Sequence, residues 1–214
     1  MNNMNMVIPG ELLGSRTEVK AGTGAYEESE NVCSAVFGMK DKRSGYVNVT
    51  STNGFYMPNE WDQVIAIIAD VDQTIWITDI RASSPAILRA NEAPWKVEFG
   101  NTSHFLTVGD AAVVRIKSYD EIGRIQITMA DKNLRKINSG YIVEIPTNKI
   151  AKLIGREGAM VNAIKKLTKC RILVGRNGRV WIDGENEGIC KTILAIRKVG
   201  EEGASIDDVE KVIE

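Results

Sequence analysis

A short glycine-bracketed motif, Gly155-Arg156-Glu157-Gly158, places the strongest constraint on how this 214-residue chain can fold. Apolar residues recur at helical spacing on both sides of it: Ile150, Leu153 and Ile154 before, Val161 and Ile164 after. The pattern predicts two short helices joined by a tight turn, because Gly155 can take the left-handed backbone that ends the first helix. Gly158 removes a side chain where the second helix begins, so free N–H groups and the positive end of the helix dipole face outward. A sugar–phosphate backbone can come close to such a turn.

The segments around the motif turn it from a weak signal into a specific one. One strand is predicted at residues 141–145, and two more at 171–174 and 180–182, joined by the hairpin signal Asn177-Gly178. A last helix carries Ile189, Ile193 and Ile196 on one face. This order resembles a KH domain of the eukaryotic type (type I) over residues 139–199, a resemblance that implies a glycine loop clamping about four backbone nucleotides. The alternative is a purely structural glycine turn.

Charge is distributed unevenly along the chain. The net charge is −1, yet residues 141–200 contain 12 Lys or Arg against 5 Asp or Glu, for a net +7. Residues 1–140 carry a net −3 and residues 201–214 a net −5. A basic block that coincides with the KH-like pattern is the footprint expected of a phosphate binder, although an acidic neighbour could simply balance it.

The first 131 residues predict two β-rich units. Residues 1–55 contain short strands and a charged turn at 40–43, which suggests a small β domain that packs on a neighbour or a partner. Residues 56–131 predict an OB-type barrel, similar to the S-one RNA-binding barrel but with Glu60-Trp61-Asp62 where that family prefers Gly-Asp. Its five strands are predicted at residues 64–71, 74–80, 86–88, 111–117 and 125–129.

Trp76 and Lys117 are the candidate RNA contacts of the barrel. A barrel that binds single strands needs aromatic platforms and cations on one face. Ile75 and Ile77 look like core residues, which favours Trp76 facing outward, with Lys117 nearby as a phosphate contact. The alternative is that Trp76 points into the barrel.

No catalytic or metal-binding constellation is predicted. His104 is the only histidine, and the three cysteines form no CxxC pair, so neither a Cys–His mechanism nor a zinc site is expected. Asp70, Asp72 and Asp79 could suggest a metal, but turn-capping aspartates are the favoured interpretation. No cofactor is expected. Sparse cysteines, no signal peptide and no membrane-spanning apolar run favour a cytoplasmic protein.

Taken in order, the chain resembles the S-one/KH cap subunit of the archaeal RNA exosome, an α+β multidomain protein. Residues 7–10, 56–58 and 150–158 carry the resemblance, and the acidic stretch 200–214 adds a C-terminal helix or tail. The sister cap subunit, which ends in a cysteine-rich zinc ribbon, is excluded because CxxC is absent.

The resemblance implies a non-catalytic subunit that captures single-stranded RNA. Three copies and other cap subunits would sit on a hexameric ring of phosphorolytic RNase subunits, docked by the N-terminal domain. Within the KH-like unit, Gly155 and Gly158 would admit the RNA backbone, with Glu157 in the same loop. The phosphates would be held by Lys152, Arg156, Arg176 and Arg179. Two alternatives are a transcription elongation factor with barrel and KH units, and a glycine loop that packs between subunits.

Overall fold

The computed structural model describes residues 6–51, 56–119, 124–200 and 206–213. The chain divides into two compact units, Met1–Gly54 and Phe55–Glu214. The boundary expected between residues 55 and 56 borders residues 52–55, which lie outside the described residues.

The described residues of the first unit, 6–51, form seven short strands. They are β1 (Met6–Val7), β2 (Leu12–Ser15), β3 (Lys20–Ala21), β4 (Ala25–Glu28), β5 (Asn31–Ser34), β6 (Gly38–Arg43) and β7 (Tyr46–Ser51). They form one sheet in the order β1-β6-β7-β3 and another in the order β2-β5-β4, around Val19, Val32 and Val47. The predicted charged turn at residues 40–43 is wrong: it is the exposed strand β6, and the chain reverses at Ser44 and Gly45, both with positive φ.

Five strands of the second unit close into the predicted barrel. They are β8 (Gln63–Val71), β9 (Ile75–Asp79), β10 (Ala86–Arg89), β11 (Ala111–Tyr119) and β12 (Ile125–Thr128). The sheet runs β12-β10-β9-β8-β11, and β12 also pairs with β11, which leaves no free edge among these five. A sixth strand, β13 (Arg135–Ile137), pairs antiparallel with the first residues of β11, outside the closed barrel.

The barrel interior contains Trp76, so the prediction that this side chain faces outward is wrong. Trp76 has no exposed surface, and its Nε1 donates a hydrogen bond to the carbonyl oxygen of Leu106 at 3.1 Å. Thr78 and Ile80 share its inward face, while Ile75 and Ile77 are half-buried on the outer face. A large amphipathic ring is stable inside when its N–H has a partner.

The KH-like part has the predicted order. It contains β14 (Tyr141–Glu144), α1 (Ile150–Ile154), α2 (Ala159–Thr168), β15 (Arg171–Val174), β16 (Arg179–Asp183) and α3 (Asn186–Gly200). The antiparallel sheet runs β14-β16-β15, so β15 is an edge strand. One face of the sheet packs its apolar residues, such as Val180 and Ile182, with those of the helices.

A last helix, α4 (Ile206–Ile213), follows residues that lie outside the described part of the chain. Its Val209 and Ile213 are buried in the core of the KH-like part. The acidic C-terminal segment is therefore anchored by an apolar face, as its periodicity predicts.

Candidate nucleic-acid interface

The loop between α1 and α2 has a backbone that demands glycine. Gly155 adopts φ 74° and ψ 177°, a region essentially confined to glycine, rather than the predicted left-handed helical conformation. A Cβ on Gly155 would lie 2.8 Å from the backbone nitrogen of Met160. Gly158 is left-handed at φ 80° and ψ 10°, and α2 begins at the next residue. The chain therefore reverses within Arg156 and Glu157, both exposed.

The start of α2 is a favourable place for an anion. No side chain caps its first N–H groups, and its first turn contains no acidic residue. Arg156 is exposed beside it, and Lys152 is half-buried one turn earlier on α1. Asn162 is exposed on the first turns of α2. Its side-chain nitrogen would lie 3.3 Å from a Cβ added to Gly158, so this amide lies beside the loop. Charge, helix dipole and bare backbone thus coincide at one loop.

A second cationic surface lies at the edge strand β15, and the sequence did not single it out. An open cleft of about 520 Å³ is lined by Arg135 from β13, Lys165 from α2, and Arg171 and Trp181 from the KH sheet. The guanidinium carbons of Arg135 and Arg171 lie 5.4 and 5.8 Å from the ring centre of Trp181, within cation–π range. Arg171 is also paired with Asp183. Only the basic composition of residues 141–200 indicated such a surface.

The turn between β15 and β16 is used for packing the barrel against the KH sheet. Asn177 is fully buried, and its side-chain nitrogen donates to the carbonyl oxygens of Ile65 and Ile80 at 2.8 and 3.0 Å. Its side-chain oxygen accepts from the N–H of Ile65 at 3.3 Å. The Asn-Gly signal correctly predicted the hairpin, but this amide belongs to the seam between barrel and KH sheet.

The predicted phosphate contact Arg179 is wrong, because its side chain lies in the same seam and is 3 % exposed. It bonds to the carboxylate of Asp79, to that of Glu144 at 3.0 Å, and to the carbonyl oxygen of Ile65 at 3.2 Å. Burial alone would raise the pKa of Asp79, but the hydrogen bond from the N–H of Arg81 and the Arg179 guanidinium lower it below its ordinary value. Four of its five N–H groups bond within the seam, and the burial of the side chain keeps the guanidinium away from RNA.

Arg176 differs from Arg179 although it lies in the same turn. Its backbone N–H donates to the carbonyl oxygen of Gln63 at 2.9 Å, while its side chain is exposed. Its role as an RNA contact stays a prediction.

Lys117 is half-exposed and is paired with Glu92. The bond from the Lys117 ammonium lowers the pKa of the Glu92 carboxyl, although desolvation opposes this. A phosphate at Lys117 would have to compete with that carboxylate. The role of Lys117 as an RNA contact also stays a prediction. The Glu92 carboxylate lowers the net positive charge that Lys117 would offer to a phosphate.

The aspartates weighed as metal ligands each bond to a nearby backbone N–H instead. The side-chain oxygens of Asp70, Asp72 and Asp79 accept from the N–H of Val71, Gln73 and Arg81 at 2.7–2.8 Å. Among the described residues no group of three or more His, Cys, Asp or Glu side chains could hold a metal ion. In the same part of the chain, no helix combines the length and apolarity needed to cross a membrane.

Comparisons with known proteins match both ends of the chain. Residues 6–43 match the family model described as the exosome complex exonuclease RRP4 N-terminal region, and residues 140–188 match that of the KH domain. A crystal structure described provisionally as an exosome complex RNA-binding protein superimposes with a TM-score of 0.67 at 28 % identity. The alignment covers 74 % of this chain and 93 % of that one.

Relatives align over nearly the whole chain. The exosome complex component Rrp4 of Methanosarcina acetivorans is 36 % identical over 194 residues, which are 91 % of this chain and 74 % of the relative. The protein of the same name from Picrophilus torridus is 34 % identical over 212 residues, 99 % of this chain and 92 % of the relative. The chain therefore belongs to the Rrp4 family of exosome complex components.

Proposed function

We propose that this chain is a non-catalytic subunit of an RNA exosome that captures single-stranded RNA at the glycine loop of its KH domain. The loop of residues 155–158 carries the proposal, because it combines a glycine-only backbone, an uncapped helix start and the exposed Arg156. The family relatives are exosome components by name, and the similar crystal structure is described as RNA-binding. The three cysteines, none in a disulfide, suit the reducing cytoplasm in which we place it.

The proposed path of the RNA joins the glycine loop to the cationic cleft at β15. Arg156 and Lys152 would hold phosphates at the loop, and Lys165 and Arg171 would continue the contacts along α2 and the edge of β15. The edge strand offers unpaired backbone groups, which suit bases splayed from a single strand better than a duplex. About five phosphate contacts would give a salt slope of roughly −3.5 in log affinity against log salt.

Binding at the loop is tested by fluorescence anisotropy with a labelled uridine 12-mer. Arg156→Glu removes one phosphate contact and adds a repulsive charge, so we expect affinity to fall about tenfold or more at low salt. Lys211→Glu on α4 makes the same charge change at another exposed position and should leave affinity unchanged. Equal affinities for wild type and Arg156→Glu would contradict the assignment. The purified chain should leave the oligomer intact, with or without phosphate.

We propose that the N-terminal unit docks on a ring of phosphorolytic RNase subunits. Three copies of this chain would sit on the ring, alongside other cap subunits. Within the residues that match the RRP4 N-terminal region, the unit exposes four large non-aromatic apolar side chains, Met6, Ile8, Leu12 and Met39, in addition to Tyr26. Met6 and Met39 lie opposite one another on β1 and β6. Exposed apolar side chains of this kind mark protein interfaces.

Co-purification should yield a complex with two ring proteins in a 3:3:3 ratio, and Met39→Glu should release this chain from it. Recovery of RNA polymerase instead would favour a transcription factor.

A further inference from the structure

Trp61 is an exposed aromatic residue held in a strained backbone. Its φ is +70°, a conformation rarely adopted by a bulky side chain, and its side chain is 70 % exposed. Strain of this kind costs on the order of 1–3 kcal/mol, and an exposed indole recovers none of it by packing. Glycine would take this backbone without strain.

The backbone around Trp61 is fixed on both sides. Its N–H donates to the carbonyl oxygen of Ile116 at 2.9 Å, and the N–H of Ile116 donates to the carbonyl oxygen of Asp62 at 2.9 Å. The carboxylate of Asp62 accepts a hydrogen bond from the buried hydroxyl of Tyr56 at 2.7 Å. The indole is therefore presented to solvent by an ordered segment where the barrel strands β8 and β11 meet.

Arg176 is an exposed cation whose backbone lies beside the barrel segment that carries Trp61. Its backbone N–H donates to the carbonyl oxygen of Gln63, two residues after Trp61, at 2.9 Å, and its positive charge opposes the rise in the pKa of Tyr56. Burial is the main cause of that rise, and the hydrogen bond to Asp62 adds to it. The turn between β15 and β16 thus places an exposed cation beside the barrel segment that presents the indole.

We infer that Trp61 and Arg176 form a second contact for single-stranded RNA, in which a base stacks on the indole and a neighbouring phosphate bonds to the guanidinium. This rests on the RNA-binding function proposed above. The flanking carboxylates of Glu60 and Asp62 disfavour a phosphate at the indole itself, whereas a base is neutral. Stacking on an aromatic face accepts any base. The contact replaces the one expected of Trp76, which is buried.

Tryptophan fluorescence during titration with a uridine 12-mer tests this contact. Of the four tryptophans, Trp76 and Trp181 are buried, and Trp95 is half-buried and stacked on Phe105. We therefore expect RNA to quench the emission of Trp61, and Trp61→Phe to reduce the quenching to the part that comes from Trp181 in the cleft at β15, while affinity changes less than threefold. Trp61→Ala should weaken binding about 5- to 100-fold, which corresponds to one stacked base. Trp61→Gly should weaken binding to the same extent and raise the melting temperature by relieving the strain.

Phe99→Ala is the matched control, because Phe99 is also a highly exposed aromatic residue of the barrel but has no positive φ. It should leave affinity unchanged. If Trp61→Ala binds RNA normally while Arg156→Glu does not, the contact is overturned and the proposed function stands. If Trp61→Ala binds RNA normally but fails to assemble with ring proteins, the indole serves a protein partner, and the contact is again overturned. If wild type binds no RNA at low salt, both proposals fail.

Discussion

Both backbone groups of Ile65 bond to the side-chain amide of Asn177, which lies 112 residues later in the chain. The amide reproduces the pairing that a neighbouring strand would give to β8, and it also satisfies the carbonyl of Ile80. The buried amide of Asn177 thereby joins the barrel to the KH sheet through three hydrogen bonds. These bonds hold the barrel segment of Trp61 and the turn of Arg176, the two sides of the proposed RNA contact, in a fixed geometry.

Replacing Asn177 should destabilise the second unit. Asn177→Ala leaves the N–H of Ile65 and the carbonyl of Ile80 without this partner, whereas the carbonyl of Ile65 keeps its bond from Arg179, and each unsatisfied buried group costs about 1–3 kcal/mol. We expect the free energy of unfolding in urea to fall by about 3 kcal/mol. Asn148→Ala, at an exposed position, should change it by less than about 0.5 kcal/mol. Equal stabilities of the two variants would show that the seam contributes little.

Arg176 and Arg179 should separate binding from stability, although they lie in one turn. Arg179→Ala leaves Asp79 and Glu144 without their shared partner, and we expect a loss of about 2–3 kcal/mol in the free energy of unfolding, since both carboxylates still reach solvent. Arg176→Ala should leave stability unchanged and reduce the salt slope of RNA binding by about 0.7. Urea unfolding and anisotropy at several salt concentrations measure the two quantities. The reverse pattern would return Arg179 to the RNA site.

How far the sequence could predict the fold depended on the range of the contacts involved. The strands of the barrel and the order of the KH elements follow from local periodicity and from turn residues such as Asn177 and Gly178, and they are confirmed. The inward face of Trp76 could not be predicted, because Ile75 and Ile77 fit a half-buried outer face as well as a core. Alternation gives two faces but not which one is enclosed.

Contacts between distant segments explain the other errors in the candidate site. Arg179 is a plausible phosphate ligand by composition, and its partners Asp79 and Ile65 are about 100 residues away. The cleft at Trp181 likewise needs Arg135, which lies on β13. The sequence predicts no strand there, between the barrel and the KH-like unit. The strain at Trp61 is a property of its backbone, which a sequence does not show directly. The one indication was that Trp61 stands where the S-one family prefers glycine.

Acid should weaken the second unit through three carboxyls. The pKa values of Asp79, Glu92 and Asp110 lie below their ordinary values: desolvation opposes the shift, and hydrogen bonds from cations and backbone N–H groups outweigh it. A folded-state pKa below the unfolded one adds stability above about pH 4, and that stability is lost as pH falls through the folded pKa. The free energy of unfolding should therefore be level from pH 7 to 5 and decline below about pH 4.

The matched variants for this pH dependence are Asp79→Asn and Glu98→Gln. Asp79→Asn should flatten the decline below pH 4, because it removes one of the linked carboxyls, and should already be less stable at pH 7. Glu98→Gln, at an exposed position, should reproduce the wild-type curve. Identical slopes for wild type and Asp79→Asn would exclude Asp79 as a source of the acid sensitivity.

Cross-linking to a uridine 12-mer that contains 4-thiouridine, followed by mass spectrometry of the full chain, locates the RNA most directly. Binding at the glycine loop and along the β15 edge predicts that most cross-links fall within residues 150–174, and that Arg156→Glu depletes them more than Lys211→Glu does. Saturable binding with no cross-link in residues 150–174, or with cross-links confined to the N-terminal unit, would contradict RNA capture by the KH domain.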